Sequence, residues 1–459
     1  MGNWFAYTTL ALWPLISIRL YRTKTVQAAT LWTLLGGFMF LPVGTSVDLP
    51  MIPPFDKNSI PVLSAFLGCW FVTKRRVSIL SGRGWVKWLV ILFIIEPFIT
   101  AELNSDAIFI GGRFLPGMTS YDALSAMVNQ FIIIIPFFIG RQLFKTCDNQ
   151  LLMFKALALA GLGYSVLMLF EVRMSPQLHT WVYGYFPHSF GQQMRYGGYR
   201  PVVFIGHGLR VAFFAAITLT SAVVIWQLKD KIRQFSSAGV AYYLLLVLIL
   251  CKSVASTMYG FAALLLIKLA SIKNQLRIAT FLVLIALLYP TMSIMNIFPH
   301  QALIEWAASV DADRAQSLGF RFDNEHKLLE HGQQRFFFGW GSWGRNRVYN
   351  QENGKDESVT DGRWIITFGQ FGWLGFIAEF GLLAIPIFSA VSVSKLVKSR
   401  QELIMLAAHA LLASLVIIDQ LPNSSLSPWV WLLVGILLGR SEALLQKYRE
   451  YMRSSSALL

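Results

Sequence analysis

Cationic side chains that could hold an anion stand where an apolar chain should not carry them. Arg195, Arg200 and Arg210 bracket the start of an apolar segment in YGGYRPVVFIGHGLR, and Lys252 interrupts another in LILCKSVASTMYGFAALLL. A charge placed within hydrocarbon costs on the order of a few kcal/mol and needs a reason, and an anionic ligand is one. The planar fork of Arg suits phosphate, and Lys supplies a point charge. Arg200, Arg210 and Lys252 are therefore expected to form an anion site. For Arg321, Arg335, Arg345, Arg347 and Arg363, in a later polar loop, the plainer reading is preferred, in which long basic side chains reach out to lipid phosphates or pair with acids. Glu96, Glu379, His409 and Asp419 lie in or beside apolar segments, and are read as hydrogen-bonding groups between helices rather than as a proton relay.

Two other patterns carry less than they suggest. GWGSWG, with Gly339, Gly341 and Gly344, has the spacing of a dinucleotide-binding turn but no βαβ unit around it, so its glycines are expected to let backbone pass close to something bulky. His326 and His331 are about 140° apart around a helix, which makes no metal-binding face. Neither a metal nor a cofactor is expected.

The elements that must position these residues are membrane helices. The chain has 459 residues, 55% hydrophobic and 14% charged, against roughly 25% charge in a soluble domain. Its apolar residues fall in blocks of about 20, enough to cross a ~30 Å hydrocarbon core as helices. The expected spans are 4–20, 26–44, 59–73, 84–103, 121–140, 150–170, 203–227, 238–252, 254–271, 278–298, 364–390, 402–421 and 428–445. The fold class is thus an all-α polytopic membrane protein, with 12 spans if the first only dips into the interface and 13 otherwise. The net charge of +15 is dealt out in alternate gaps, among them Lys74, Arg75 and Arg76, Lys229 and Lys231, and Lys395 and Lys398. That is the positive-inside pattern and not a nucleic-acid surface. It puts these gaps in the cytoplasm, with the Pro-rich segment 48–58, the Gly-rich segment 104–122, the aromatic segment 171–200 and the large loop 299–363 outside. The expected organisation is an N-terminal bundle (1–298), a periplasmic loop with one or two amphipathic helices (299–363), and three C-terminal spans with a basic tail (364–459). The three cysteines are far apart and imply no disulfide framework.

RFFFGWGSWGRN followed by VTDGRWIITFGQFGWLGFIAEFGLLA resembles the superfamily of O-antigen ligases and O-antigen polymerases. An arginine ahead of a middle span (GGYRPVVFIGHG), a polar break between two later spans (Lys252-Ser253) and the large loop before the last three spans agree with it. LPVGTSVDLPMIPPFDKNSIP and DQLPNSSLSPWVWLLVGILLG are similar to the exopolysaccharide-polymerase branch. The resemblance implies a metal-independent glycosyltransferase of the bacterial inner membrane, acting at the periplasmic face. Its donor would be a glycan on undecaprenyl pyrophosphate. Its acceptor would be a hydroxyl on a second lipid-linked unit or, in a ligase, on lipid A core. Membrane lipids, a chain-length regulator and a flippase are the further partners, with no nucleic acid. Counting back from Gly372, Asp361 stands where the family carries a histidine, which makes Asp361 the expected proton acceptor, with Glu325 and His326 in reserve. Lys in place of Arg at the break keeps the charge and loses the fork. Arg335, Gly339, Trp340, Gly341 and Trp343 are the expected loop contacts to sugar. A transporter of lipid-linked sugar, without chemistry, is the alternative of a different class.

Overall fold

The computed structural model describes residues 2–49, 53–78, 84–195 and 197–456. Residues 50–52 of the expected cap loop 48–58 lie outside these. Among the described residues there are sixteen α-helices. The first bundle contains α1 (Trp4–Thr23), α2 (Val26–Phe40), α3 (Ser59–Leu67, continued by a π turn to Val72), α4 (Trp85–Glu102), α5 (Ser120–Leu143), α6 (Cys147–Met174), the short α7 (Leu178–Tyr183), α8 (Gly208–Gln227), α9 (Ser237–Leu250), α10 (Val254–Leu269) and α11 (Ile272–Ile294). The polar loop folds into α12 (His300–Val310) and α13 (Ala312–Gln333), and the chain ends with α14 (Arg363–Ser394), α15 (Arg400–Asp419) and α16 (Pro428–Ser456). Three small antiparallel hairpins join helices: β1 (Ile108–Ile110) with β2 (Arg113–Leu115), β3 (Met194–Arg195) with β4 (Gly198–Tyr199), and β5 (Lys231–Ile232) with β6 (Phe235–Ser236).

Each expected span coincides with a helix. Seven of them, α5, α6, α8, α11, α14, α15 and α16, are long and apolar enough to cross a membrane, and α2, α3, α9 and α10 are shorter apolar helices beside them. The chain is an all-α, multi-pass membrane protein. Its helices start where small polar residues can cap them: the side chains of Asn3, Thr25, Thr119, Thr146, Ser271 and Ser399 each accept a bond from a free N–H of the first turn. At Thr119 the bond is reciprocal, with Asp122 reaching back to the Thr119 N–H.

Packing follows the small residues. A Cβ on Gly435 would stand 2.2 Å from the Phe137 carbonyl oxygen, one on Gly439 2.1 Å from that of Arg141, and one on Gly140 2.5 Å from that of Leu432. This GxxxG pair on α16 and the glycine on α5 let the two backbones touch, as small residues do at membrane-helix interfaces. One buried apolar cluster runs through helices before and after the polar loop, so the last three helices are packed into the first bundle.

Two spans depart from expectation. The span expected from 203 begins as a helix only at Gly208, because Val203 (φ 47°) and Gly206 (φ 94°) turn the chain and His207 then caps α8. The span expected over 364–390 is not continuous. Within α14, Gly372 has φ 65° and ψ −163°, a conformation open essentially to glycine alone. The backbone groups freed by that break are paired by the RFFFGWG segment. Trp340 and Gly341 donate to the carbonyls of Gly369 and Gln370 (both 2.8 Å), and Trp373 and Leu374 donate to those of Phe336 and Phe337 (2.7 and 3.2 Å). The close approach expected of Gly339 and Gly341 is therefore to backbone at Gly339: a Cβ there would meet the Gln370 carbonyl carbon at 2.5 Å, while one on Gly341 would meet the Met118 sulfur.

Candidate functional site

The residues with unusual chemistry converge at one end of the bundle, around the start of α8. Glu171, buried near the end of α6, accepts from the N–H groups of Leu178 (2.9 Å), Val202 and Val203 (both 2.7 Å). It thereby fixes the irregular segment that leads from the β3–β4 hairpin into α8. Arg200 follows that hairpin, and its Nε donates to the Lys252 carbonyl at 3.0 Å. A Cβ on Gly208 would stand 2.9 Å from the Cβ of Arg200, so a glycine at the first turn lets α8 lie against it. Arg210, one turn along, donates to the Ser424 carbonyl at 2.8 Å.

These arginines open onto a cavity of about 520 Å³, lined also by Arg195, His207, Arg321, Asp361 and Asp419. Arg321 comes from α13, which brings the polar loop over the bundle. Its Nε lies 3.6 Å from Asp361 Oδ2, and it donates to the Pro422 carbonyl at 3.3 Å. Asp419, at the end of α15, is buried and accepts from Ser425 Oγ (2.7 Å) and Asn423 Nδ2 (2.9 Å). His207 Nδ1 accepts from the Leu209 N–H at 3.1 Å. Burial first, then His188 and the neighbouring arginines, push its imidazole down to about 4, so at neutral pH it adds no charge. Four guanidiniums facing two carboxylates make a cationic pocket, and of the two carboxylates Asp361 is half exposed.

Asp361 does not cap α14: the N-cap is Gly362, without a side-chain bond. Glu325 lies in an adjoining cavity that shares Arg321, Val359 and Asp361 with the first. It accepts from Tyr289 Oη at 2.6 Å and Ser293 Oγ at 3.2 Å. Burial raises its carboxyl to about 7, against the lowering pull of those hydrogen bonds. His326, one residue on, points away, is exposed, and meets Glu330 at 3.3 Å.

Lys252 stands one layer behind the cavity wall. It occupies the turn between α9 and α10 in a left-handed conformation (φ 53°), and its Nζ donates to the Arg195 carbonyl at 3.1 Å. It supports the hairpin that carries Arg195 and Arg200. Of the loop residues, Arg335 stacks over Trp340 (4.4 Å) and pairs with Asp106 (3.3 Å), while Trp340 stacks on His331 (4.4 Å). Arg345, fully buried, donates to the carbonyls of Asp106 and Pro116. These residues fasten the loop to segment 104–119. Trp343 alone of the expected sugar contacts is largely exposed, and it lines a different groove. Among the intramembrane polar groups, His409 pairs with Gln150 (3.0 Å) and binds α15 to α6, whereas Glu379 pairs with Arg363 (2.6 Å) of the same helix, across the break at Gly372, and Asp419 faces the cavity. Arg321, expected to reach lipid phosphates or pair with acids, and Asp419, expected to bond between helices, are instead lining residues of the cavity. The sequence signal for Arg321 was its place on an amphipathic helix, and nothing there says which surface that helix meets.

Compared with known proteins, the chain matches no family model and no curated protein.

Proposed function

We propose that this protein is a glycosyltransferase of the bacterial inner membrane, with about a dozen spans and the loop 299–363 in the periplasm. It would join undecaprenyl-pyrophosphate-linked oligosaccharide units into a longer exopolysaccharide or O-antigen chain. The observation that carries this reading is the convergence of Arg195, Arg200, Arg210 and Arg321 on one cavity together with Asp361. In such a transfer the bond from the donor's anomeric carbon to the pyrophosphate oxygen breaks, and its electron pair leaves with the pyrophosphate. The acceptor hydroxyl oxygen bonds to that carbon and gives its proton to the Asp361 carboxylate. Cations aimed at the leaving group stabilise the charge that develops there, and a positioned carboxylate removes the proton as the bond forms. Lys252 contributes through the hairpin it holds. The alternative transport reading has no use for a carboxylate set among the cations.

The test is reconstitution in liposomes with undecaprenyl-pyrophosphate-linked oligosaccharide. The expected result is a ladder of lengthened glycans with release of undecaprenyl pyrophosphate. Truncating a desolvated, hydrogen-bonded charge contact costs ~2–5 kcal/mol, so Arg210→Ala and Arg321→Ala should each reduce the ladder by tenfold or more at equal protein. Glycan that crosses the bilayer without lengthening would replace this reading with transport. Transfer to added lipid A core in single units would make the protein a ligase.

A further inference from the structure

A second cavity, of about 740 Å³, lies between α3, α5, α14 and α16 and differs in chemistry from the first. Segment 359–363 and the turn after α15 part the two: Asp361, Ser424 and Ser425 line the cationic cavity, whereas Arg363, Leu426 and Ser427 line this groove. Its described lining carries the acids Asp48, Asp56, Asp122 and Glu379 against Arg363, whose fork is held bidentate by Glu379 at 2.6 to 3.1 Å. A pyrophosphate would be repelled here. Deeper in, Phe371, Trp431 and Ile132 give an apolar floor.

Two side chains point to a hydroxyl-rich ligand. Gln130 is 5% exposed, and its Oε1 has no hydrogen-bond partner. A buried acceptor without a partner is unfavourable, and a hydroxyl donor would satisfy it. Trp343 is 60% exposed, and its ring is held by a bond from Nε1 to Asp122 Oδ1 at 3.0 Å. A fixed aromatic face beside a few placed polar groups is how pockets orient ligands whose surfaces are part apolar and part polar, as a sugar's are.

We infer that this groove is a second binding site, for a neutral, hydroxyl-rich glycan carried on a lipid, and that it holds the acceptor while the cationic cavity holds the donor. The acceptor role rests on the proposed function; the glycan specificity of the groove does not. The groove takes the acceptor's neutral sugars and excludes its pyrophosphate, and the wall between the two cavities is the segment that carries Asp361, so an acceptor hydroxyl and the donor's anomeric carbon would meet across it.

The experiment uses the full chain, purified in a sugar-free detergent and placed in nanodiscs of neutral lipid. Binding of a panel of dodecyl glycosides (glucoside, galactoside, maltoside and lactoside) is measured by native mass spectrometry. At least one glycoside should bind saturably, with affinity reduced tenfold or more by Gln130→Leu and by Trp343→Ala. Trp343→Phe, which keeps a ring, should retain most of it, and Arg210→Ala should leave it unchanged. Bare undecaprenyl pyrophosphate should show the opposite pattern, weakened by Arg210→Ala and indifferent to Gln130→Leu. If no glycoside binds saturably, or if Gln130→Leu and Trp343→Ala bind as wild type does, the groove is not a glycan site. If glycosides behave as expected while bare undecaprenyl pyrophosphate ignores Arg210→Ala, the donor assignment fails and the groove stands.

Discussion

Asp361 and Glu325 are two carboxyl groups near one cavity, held in different surroundings. Asp361 is half exposed beside Arg321; Glu325 is partly buried against Tyr289 and Ser293. Asp361→Asn keeps the shape and removes the proton acceptor, since an amide does not take up a proton at neutral pH. It should fold and reach the membrane as wild type does while glycan lengthening falls by ~10²–10⁴-fold, read as product per protein in proteoliposomes. Full activity of Asp361→Asn together with loss in Glu325→Gln would move the proton to Glu325. Glu325 also makes stability depend on pH. Its carboxyl is raised from 4.5 to about 7 in the folded protein, so between those values the unfolded chain releases a proton that the folded chain keeps. Stability therefore falls as pH rises through that window and levels off above it, by at most ~3 kcal/mol. Thermal unfolding in detergent at pH 5 and pH 8 should show a drop in wild type that Glu325→Gln lacks. Arg200 and Arg210 were legible as candidates, because a charge at the edge of an apolar block is conspicuous, and both line the first cavity. Lys252 was equally conspicuous, yet it turns its ammonium to a backbone carbonyl: sequence marks a costly charge without saying what satisfies it.

At the scale of elements, the break in α14 is the feature hydropathy could not reveal. A run from Trp364 to Ala390 reads as one continuous span, and it contains several glycines of which Gly372 alone has a positive φ. A side chain there would be strained in φ and would put its Cβ 2.3 Å from the Phe337 carbonyl carbon. Gly372→Ala should destabilise the protein by ~2 kcal/mol or more, seen as a lower unfolding temperature in detergent. Gly163→Ala is the control: on α6 a Cβ meets nothing within 4 Å, and a helical Gly→Ala change there should be neutral or mildly stabilising. The amphipathic stretch in the polar loop was readable, and it forms both α12 and α13. Where α13 docks was not, because the surface it covers is assembled from the ends of α8, α14 and α15, far apart in the chain. The start of α8 was placed five residues early for a related reason. Val202 and Val203 are apolar, but they are bound by Glu171 rather than by helical neighbours.

For the whole molecule, both cavities open at the end where α8 and α14 begin and α15 stops. The opposite end carries Arg141 paired with Glu442 (2.6 Å), Lys155 with Asp230 (2.6 Å) and Arg440 with Glu402 (2.7 Å). On the proposed topology that opposite end would face the cytoplasm. In intact cells, a cysteine at the exposed Glu352 should react with a membrane-impermeant thiol reagent, and one at Ser399 should react only after permeabilisation. Labelling of Ser399 and not of Glu352 would invert the protein and remove the periplasmic reading with it. The positions of the apolar helices followed from the sequence, since blocks of apolar residues are set by the bilayer itself; seven of them are long and apolar enough to cross it. The pairing of the two cavities did not, because it depends on how the helices share a cross-section.

The break at Gly372 also bears on how the protein is made. Segment 335–341 precedes α14 in the chain, so it has left the ribosome before the helix it completes. Were α14 released into lipid alone, four backbone groups around Gly372 would lack partners. With the loop already translocated and waiting, the two halves of α14 can be received as they emerge. Synthesis in the order loop, then broken helix, gives the nascent chain its own template, and a circular permutant opened between residues 350 and 360 would have to insert α14 first, with those groups still bare.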